Sequence, residues 1–238
     1  MALSGFRKLS LLFLTAATFT MTANAQIQFG IKGGLNLAEI LTSNNQLVNV
    51  HNEPMAIRNF PRTDFQAGFL VSIPLSKKFS FQPELVYSEQ GATGRPVGGY
   101  LVSATEKYKL NYVNVPLLLK YNLPQGFFVE TGPQVGLLVS ANIVETVVGN
   151  VNDNHYHVKD QFKSTDLSWA LGAGYLAPID LGFDIRYNLG LNNINNATVS
   201  GMQNAPVQNG SIKNSVVQIG IFYLFGKSKN KTAFKANE

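Results

Sequence analysis

Six charged residues are the first candidates for chemistry, because each lies on the polar side of a stretch in which apolar and polar residues alternate. Three are cations and three are anions: Lys32, Glu84, Lys120, Glu130, Asp184 and Arg186. A charge enclosed in a protein interior costs on the order of several kcal/mol unless an opposite charge pairs with it. Equal numbers of the two signs therefore indicate a mutually paired network that serves structure. The alternative use of the same residues is a path for ions or protons.

Two histidines in a polar stretch are the second candidate. His155 and His157 are two residues apart, so both imidazoles project from one side of an extended chain, and Asp153 and Asp160 are close in sequence. Such a pair can bind a transition metal, but a zinc site needs three or four fixed protein ligands and this spacing fixes only two. We expect surface histidines here, no metal site and no cofactor.

A catalytic site is not indicated by the sequence. A hydrolase would need a nucleophile, a base and an orienting group. The chain contains no Cys, no Gly-x-Ser-x-Gly sequence and no fixed spacing between Ser and His. Gly30, Gly33 and Gly34 lie in an extended stretch with no following helix, so they do not form a phosphate-binding loop. We expect no enzymatic activity.

The elements that position these residues are extended strands. The clearest pattern runs from residue 165 to residue 191, where one side is bulky and apolar while the other carries Asp184, Arg186 and several glycines. Strict alternation around a short turn at residues 178–180 predicts a β-hairpin. The apolar side consists of Leu167, Trp169, Leu171, Ala173, Tyr175, Leu181, Phe183, Ile185, Tyr187, Leu189 and Leu191.

Six further stretches alternate in the same way, along residues 27–37, 64–73, 79–88, 113–121, 127–140 and 217–225, with Gln82, Asn114 and Ser140 among the polar side chains. Most span nine or more residues, and a tilted strand needs roughly 9–11 residues to cross a bilayer.

Short turns at 76–78, 122–126 and 178–180 alternate with long polar loops at 40–62, 91–107, 142–163 and 192–213, which is typical of outer-membrane barrels. The sequence therefore predicts an all-β fold over residues 26–226. That fold is an eight-stranded antiparallel up-and-down transmembrane β-barrel with its apolar side facing lipid.

Aromatic residues near both ends of the predicted strands also indicate a membrane protein, because two aromatic girdles anchor such a protein at the lipid–water interfaces. We predict interface positions for Phe79, Tyr87, Tyr121, Phe127, Trp169, Tyr175, Tyr187, Tyr223 and Phe225. The alternative is a soluble β-sandwich with these rings in its core. Only 14% of the residues are charged, however, against roughly 25% in soluble domains.

The two ends of the chain carry the formal net charge of +5. Arg7 and Lys8 precede an apolar run and the tripeptide Ala23-Asn24-Ala25, a pattern that predicts a cleaved secretory signal peptide over residues 1–25. The alternative is a retained transmembrane helix, but the apolar run is too short to span ~30 Å of hydrocarbon. Residues 227–238 contain four Lys and one Glu and are predicted to be a basic periplasmic tail. Since the charge lies at the ends, we expect no nucleic-acid partner.

Five short motifs lie on the predicted strands: Phe29-Gly-Ile-Lys-Gly-Gly-Leu-Asn, Phe81-Gln-Pro-Glu-Leu-Val-Tyr-Ser, Asn114-Val-Pro-Leu-Leu-Leu-Lys-Tyr, Gly132-Pro-Gln-Val-Gly and Arg186-Tyr-Asn-Leu-Gly-Leu. In combination they resemble the PorT-like family of outer-membrane β-barrels of Bacteroidota, over essentially all of residues 27–225. The resemblance implies an eight-stranded barrel in the outer membrane, usually without an assigned molecular activity. It also implies that some relatives assist protein secretion or gliding machinery. Such barrels commonly end on an aromatic residue, whereas residues 226–238 follow Phe225 here.

From these features we expect a small outer-membrane barrel with a structural or recognition role, because variable function usually lies on loops that a rigid scaffold holds. The expected partners are outer-membrane lipid and lipopolysaccharide, the barrel-assembly machinery, and a protein or glycan ligand at the external loops. The alternatives are an accessory component of a PorT-like protein-secretion machinery, a narrow pore, and a hydrolase at the rim.

Overall fold

The computed structural model describes residues 27–42, 46–48, 54–56, 60–94, 104–147, 152–196 and 211–226. In these ranges the chain forms strands and two short 3₁₀ turns, Pro124–Gly126 and Lys159–Gln161. The strands are β1 (Gln28–Thr42), β2 (Gln46–Val48), β3 (Pro54–Ala56), β4 (Phe60–Pro74), β5 (Phe79–Gly94), β6 (Ala104–Asn122), β7 (Phe127–Val147), β8 (Asn154–His157), β9 (Thr165–Leu176), β10 (Leu181–Gly190) and β11 (Ile212–Phe225). The predicted signal peptide, residues 1–25, and the predicted tail, residues 227–238, lie outside the described residues, and both stay predictions.

Eight of the described strands close into a ring of antiparallel pairs. β1 pairs with β4 on one side and with β11 on the other, so Phe29 lies opposite both Val71 and Phe225. The remaining pairs are β4–β5, β5–β6, β6–β7, β7–β9, β9–β10 and β10–β11. Because the first and last of these strands are paired, the ring has no free edge, which is what a membrane-spanning sheet requires. The predicted eight-stranded antiparallel barrel is confirmed.

The alternation in sequence becomes an alternation between the outside and the lumen. Along β10, Phe183, Ile185 and Tyr187 are exposed, whereas Asp184 and Arg186 between them are buried. The other wall strands repeat this pattern, with large apolar side chains such as Phe69 and Leu171 exposed on the outside. An apolar exterior of this kind suits a hydrocarbon surrounding rather than water. Among the described residues, no helix is long and apolar enough to cross a bilayer.

The two ends of the barrel differ in their connections. The short turns at residues 75–78, 123–126 and 177–180 lie at one end, here called the turn end. The longer connections lie at the other end, here called the loop end, and there the wall is taller than a bilayer requires. β6 has 19 residues and β7 has 21, against roughly 9–11 for a strand that crosses a bilayer.

This extra height corrects the bounds of all four predicted loops. Leu41 pairs with Lys213 and Phe60 pairs with Thr93, so the ends of the predicted loops at 40–62 and 192–213 are strand. Thr93 still pairs with Lys107 and Ala104 still pairs with Val147, so parts of the predicted loops at 91–107 and 142–163 are strand. Inside the second of these stretches, β8 pairs with the outer part of β7, with Asn142 opposite His157. Polar composition suggested loops, but backbone pairing continues beyond the apolar band.

A β-bulge in β7 reverses its alternation. Asn111 lies opposite Ser140 and Tyr112 lies opposite Leu138, so Val139 is the extra residue on β7. As a result Ser140 lies on the outer side with Asn111, whose Nδ2 donates a hydrogen bond of 2.9 Å to the Ser140 hydroxyl. Simple alternation predicts Ser140 inside, and that prediction is wrong because of the bulge.

Candidate functional site

The lumen is the most distinctive site, and at its centre the fold brings together the six charged residues that the sequence singled out, here called the charged tier (Lys32, Glu84, Lys120, Glu130, Asp184 and Arg186). Arg186 joins two carboxylates. Its Nη1 and Nη2 donate to the two carboxylate oxygens of Glu84, each at 3.0 Å. Its Nε donates to Glu130 Oε1 at 2.9 Å. A two-pronged contact of this kind is the strong form of the Arg–carboxylate pair.

Lys32 and Asp184 form the second ion pair of the charged tier. Lys32 Nζ lies 2.9 Å from Asp184 Oδ1 and 2.8 Å from Oδ2, and each of the two residues is 4% exposed. The two strands that carry them, β1 and β10, are separated by β11, whose inward residue between them is Gly220. A Cβ on Gly220 would lie 2.8 Å from both Asp184 Oδ1 and Lys32 Cε. The ion pair therefore occupies the space that a larger residue would fill.

Lys120 completes the charged tier with looser contacts. Its Nζ lies 3.8 Å from Glu130 Oε2 and donates to Gln82 Oε1 at 3.1 Å. Gln82 Nε2 in turn donates to Glu84 Oε1 at 2.6 Å, which links Lys120 to the carboxylates around Arg186. Alternation placed Gln82 inside the barrel, but no sequence signal indicated that it bridges two charges.

An apolar cluster, here called the turn-end plug, closes the lumen on the turn side of the charged tier. It consists of Leu70, Phe128, Phe222 and Leu224, with Leu176 packed against it. The rings of Phe128 and Phe222 meet edge to face with centroids 6.1 Å apart. Lys120 Nζ lies 3.5 Å from the Phe128 ring centroid, a distance at which a cation is attracted to the face of the ring.

A larger apolar cluster, here called the loop-end plug, fills the other end of the lumen. Its members are Ile40, Ala92, Tyr108, Leu110, Tyr112, Leu138, Ala141, Ile143, Val158, Phe162, Ile194 and Ile212, with Tyr156 packed against them. No sequence pattern predicted this plug, because Val158, Phe162 and Ile194 lie in stretches whose composition is typical of polar loops. The only available signal was the isolated apolar residues inside those stretches.

Two loop segments, residues 152–164 and 191–196, fold over the loop-end plug and are here called the cap. Phe162 and Asn195 form a β-bridge, and Lys163 N donates to Ile194 O at 2.7 Å. Ile194 N donates to Ile212 O at 2.9 Å, which fastens the cap to β11. The cap therefore has a defined backbone, which is held by hydrogen bonds and by the apolar side chains that it inserts.

The two candidate histidines lie on the cap, in β8. His157 Nδ1 is 2.6 Å from Asn142 Oδ1, and both His155 and His157 are exposed. Among the described residues, no group of three or more His, Asp or Glu side chains is placed to hold a metal ion. The fold thus adds no further ligands to the pair.

Two buried glutamates lie opposite each other on the strands below the cap. Glu106 and Glu145 are paired residues of β6 and β7. Tyr108 donates its hydroxyl proton to Glu106 Oε2 at 2.8 Å, and Tyr156 donates to Glu145 Oε2 at 3.2 Å. Burial, followed by the nearby Glu106 carboxylate, raises the pKa of Tyr108 well above its ordinary value.

The nine predicted interface aromatics all lie on the wall strands, and several form ring pairs across neighbouring strands. At the turn end the centroids of Phe79 and Tyr121, and those of Phe127 and Tyr175, are 5.1 Å apart. Tyr223 and Phe225 pair at 5.2 Å on β11. Three more lie nearer the loop end. The ring of Tyr87 pairs with that of Phe65, Trp169 donates a hydrogen bond to the Thr131 hydroxyl, and the hydroxyls of Tyr187 and Ser215 are hydrogen-bonded to each other.

A closed antiparallel ring with an apolar exterior and a charged lumen defines this protein as a membrane β-barrel. The chain belongs to the family described as "Outer membrane protein beta-barrel domain", whose model matches residues 20–196. The match ends before β11, the strand that closes the ring.

Several solved structures are similar to the chain. Neisserial surface protein A shares 11% identity, with 83% of this chain and 97% of that chain covered and a TM-score of 0.45. Ail of Yersinia pestis shares 10%, with 83% and 98% covered and a TM-score of 0.40. OprG of Pseudomonas aeruginosa shares 15%, with 86% and 98% covered and a TM-score of 0.38. No curated protein matches the sequence.

Proposed function

We propose that this protein is a closed, non-conducting barrel of the outer membrane that acts by recognition at its loop end. The observation that carries the proposal is the filling of the described lumen, in which a paired charged tier lies between two apolar plugs. An eight-stranded barrel is just wide enough inside for its own side chains to fill it. An ion that crossed this barrel would have to pass through both plugs and separate the pairs around Arg186.

The orientation in the membrane follows from the connections. Outer-membrane barrels have short turns in the periplasm and longer loops outside, so the turn end is periplasmic and the loop end is external. The exposed apolar wall contacts lipid and lipopolysaccharide, and the nine aromatics lie at the two interfaces. Insertion of such a wall requires the barrel-assembly machinery.

The cap is the proposed recognition surface. Val158 and Phe162 fix it from below because both are buried in the loop-end plug. His155, His157 and Lys159 are exposed on its other side. Exposed polar groups on a fixed backbone suit hydrogen bonding to a protein or a glycan, because little conformational entropy is lost when the ligand binds.

The experiment is co-purification from native outer membranes after mild cross-linking. The test variant combines His155→Ala, His157→Ala and Lys159→Ala, which removes polar groups from the cap and leaves its buried anchors intact. The matched control combines Lys77→Ala and Lys78→Ala, which are exposed at the turn end. We expect the cap variant, but not the control, to lose a cross-linked partner. An unchanged set of partners in the cap variant would show that the cap is not the recognition surface.

The same experiment addresses the role in protein secretion that the PorT-like resemblance implies. A secretion accessory would contact periplasmic or outer-membrane components of a large machinery. Loss of such a partner in the turn-end variant, rather than in the cap variant, would favour that role.

The closed lumen has its own test. In planar lipid bilayers we expect the purified protein to show no stable single-channel conductance. A large, stable conductance of the wild-type protein would contradict the closed barrel and favour a pore.

A further inference from the structure

Between the charged tier and the loop-end plug lies a layer of polar side chains, here called the amide tier. It consists of Gln66, Asn114, Asp166, Asn188, Asn214 and Gln218, and each of these residues is between 2% and 4% exposed. They come from β4, β6, β9, β10 and β11, so the amide tier lines the lumen from nearly all sides.

Many polar atoms of the amide tier have no hydrogen-bond partner within the protein. They are Gln66 Nε2 and Oε1, Asn114 Nδ2, Asp166 Oδ1, Asn188 Nδ2 and Oδ1, Asn214 Oδ1 and Gln218 Oε1. Buried polar groups in native proteins are almost always hydrogen-bonded, either to the protein or to ordered water. Left unpaired, this many groups would together cancel much of the net stability of an ordinary domain.

Three residues of the amide tier, Asn114, Asp166 and Asn214, lie close together. Asn114 pairs across the strands with Gly136, and Gly136 pairs in turn with Asp166. A Cβ on Gly136 would lie 2.6 Å from Asn114 Oδ1 and 3.5 Å from Asp166 Cβ. Asp166 Oδ2 accepts a hydrogen bond of 2.9 Å from Asn214 Nδ2, which leaves Oδ1 of both residues unpaired.

The chemistry of the unpaired atoms points to water. Both donors and acceptors are present, with carboxylate and amide oxygens on one hand and amide nitrogens on the other. A water molecule can donate to two oxygens and accept from a nitrogen, and buried waters typically make about three hydrogen bonds. A cation would satisfy only the oxygens and would repel the amide N–H groups.

We propose that the amide tier binds a cluster of ordered water molecules, enclosed between the charged tier and the loop-end plug, with Asp166 as one of its ligands. Water thus occupies the middle of a lumen whose two ends are apolar. The loop-end plug, rather than the wall, then separates this water from the outside.

The matched control for a test is Asn36, which is buried next to Gln218 but is fully hydrogen-bonded. Its Nδ2 donates to Ser88 Oγ at 2.9 Å and to Glu89 O at 2.7 Å. Its Oδ1 accepts from Gln218 Nε2 at 3.1 Å. Asn36 and Asn188 are thus the same residue type, equally buried, and differ in whether the protein satisfies them.

The experiment measures magnetisation transfer from water to side-chain amide protons by NMR, with the full chain in lipid nanodiscs. We expect transfer to the Asn188, Asn114 and Gln66 side-chain amides to be several-fold stronger than transfer to Asn36. Equal, weak transfer at all four residues would overturn the proposal, because the amide tier would then be dry. A stoichiometric metal ion in elemental analysis of the same sample would also overturn it.

A second measurement uses the sign of a stability change. If the amide tier were dry, Asn188→Leu would remove two unpaired groups and raise the unfolding temperature. If it is hydrated, the leucine displaces water that also satisfies neighbouring residues, and we expect the unfolding temperature to fall by about 3 °C or more. Asn36→Leu should lower it in either case, which shows that the assay responds. A higher unfolding temperature for Asn188→Leu would contradict bound water.

Discussion

The two halves of the lumen are stabilised in different ways. In the half near the turn end, each charge of the charged tier lies within 3.8 Å of an opposite charge, and four apolar side chains close the end. In the half near the loop end, polar side chains with unpaired atoms lie beneath a plug of twelve buried residues. In the first half the buried charges compensate one another, whereas the second half is held mainly by apolar burial.

The difference follows from where the wall meets lipid. The turn-end half is surrounded by the exposed apolar band, so its strands need polar side chains only inside, and those side chains must satisfy one another. At the loop end, β6 and β7 continue beyond that band, and Lys107 on their outer face is exposed to solvent. There the barrel can bury apolar residues inside, as a soluble protein does.

The largest expected effect comes from removing the central cation of the turn-end half. Arg186→Met leaves Glu84 and Glu130 buried without their main partner, and we expect a loss of about 3–5 kcal/mol in the free energy of unfolding. The measurement is reversible denaturant unfolding in lipid vesicles. The matched control adds Glu84→Gln and Glu130→Gln to Arg186→Met, which removes the stranded charges.

We expect that triple variant to recover most of the lost stability, because a neutral set can replace a buried charge network with little net change. Conductance should stay absent in both variants, since the two plugs remain. If Arg186→Met alone were as stable as the wild type, the buried carboxylates of Glu84 and Glu130 would not depend on Arg186 for compensation.

The next largest effect is expected in the loop-end half, where a single ring reaches into the plug. Phe162 is 3% exposed, and Phe162→Ala should destabilise the protein by about 3 kcal/mol through lost burial and the cavity that remains. Phe162→Leu keeps most of the volume and serves as the control. Hydrogen exchange should rise mainly at cap amides such as Lys163 and Ile194. A rise of the same size throughout the charged tier would show that the two halves are not separable.

The sequence predicts more of the turn-end half of the lumen than of the loop-end half. Alternation with a period of two predicted the ring of strands and the inward position of all six charged residues, because a strand in a barrel has only two sides. It could not predict which charge meets which. Arg186 and Glu84 are 102 positions apart in sequence, and their contact depends on how the ring closes.

The loop-end half was harder to predict because its determinants are not periodic. The bulge at Val139 reverses the two sides of β7, and no residue in that stretch is a Gly or Pro that would mark it. Val158, Phe162 and Ile194 are isolated apolar residues in polar surroundings, which carry no pattern by themselves. These residues meet in one plug only because two separate connections fold over the same end of the barrel.

A smaller effect tests whether the ion pair of Lys32 and Asp184 needs the space beside it. Gly220→Ala would place a Cβ 2.8 Å from both partners, so the pair must shift, and we expect a loss of about 2 kcal/mol. Gly33→Ala is the control, because its nearest neighbour would be Gln66 O at 3.9 Å, which is an ordinary contact. Both free energies of unfolding are measured in the same vesicles. Equal effects of the two substitutions would mean that the space beside the ion pair is not limiting.

The smallest effect concerns pH and the buried tyrosine of the loop-end half. Tyr108 lies beyond the lipid-facing band, between Lys107 and Lys109, and its pKa is raised by burial and then by Glu106. In the unfolded chain a tyrosine loses its proton near pH 10, whereas folded Tyr108 keeps it to higher pH. The unfolded state therefore binds fewer protons above about pH 10, and the free energy of unfolding falls as pH rises there.

Tyr108→Phe should lower stability by about 1.5 kcal/mol at pH 8, through the lost hydrogen bond to a carboxylate, and this deficit should shrink as pH rises past 10. Stability curves of the two proteins that stay parallel from pH 8 to pH 11 would show that the Tyr108 hydroxyl does not titrate differently in the folded state. Because the two proteins differ only at the Tyr108 hydroxyl, such a pH-dependent difference reports on the loop-end half.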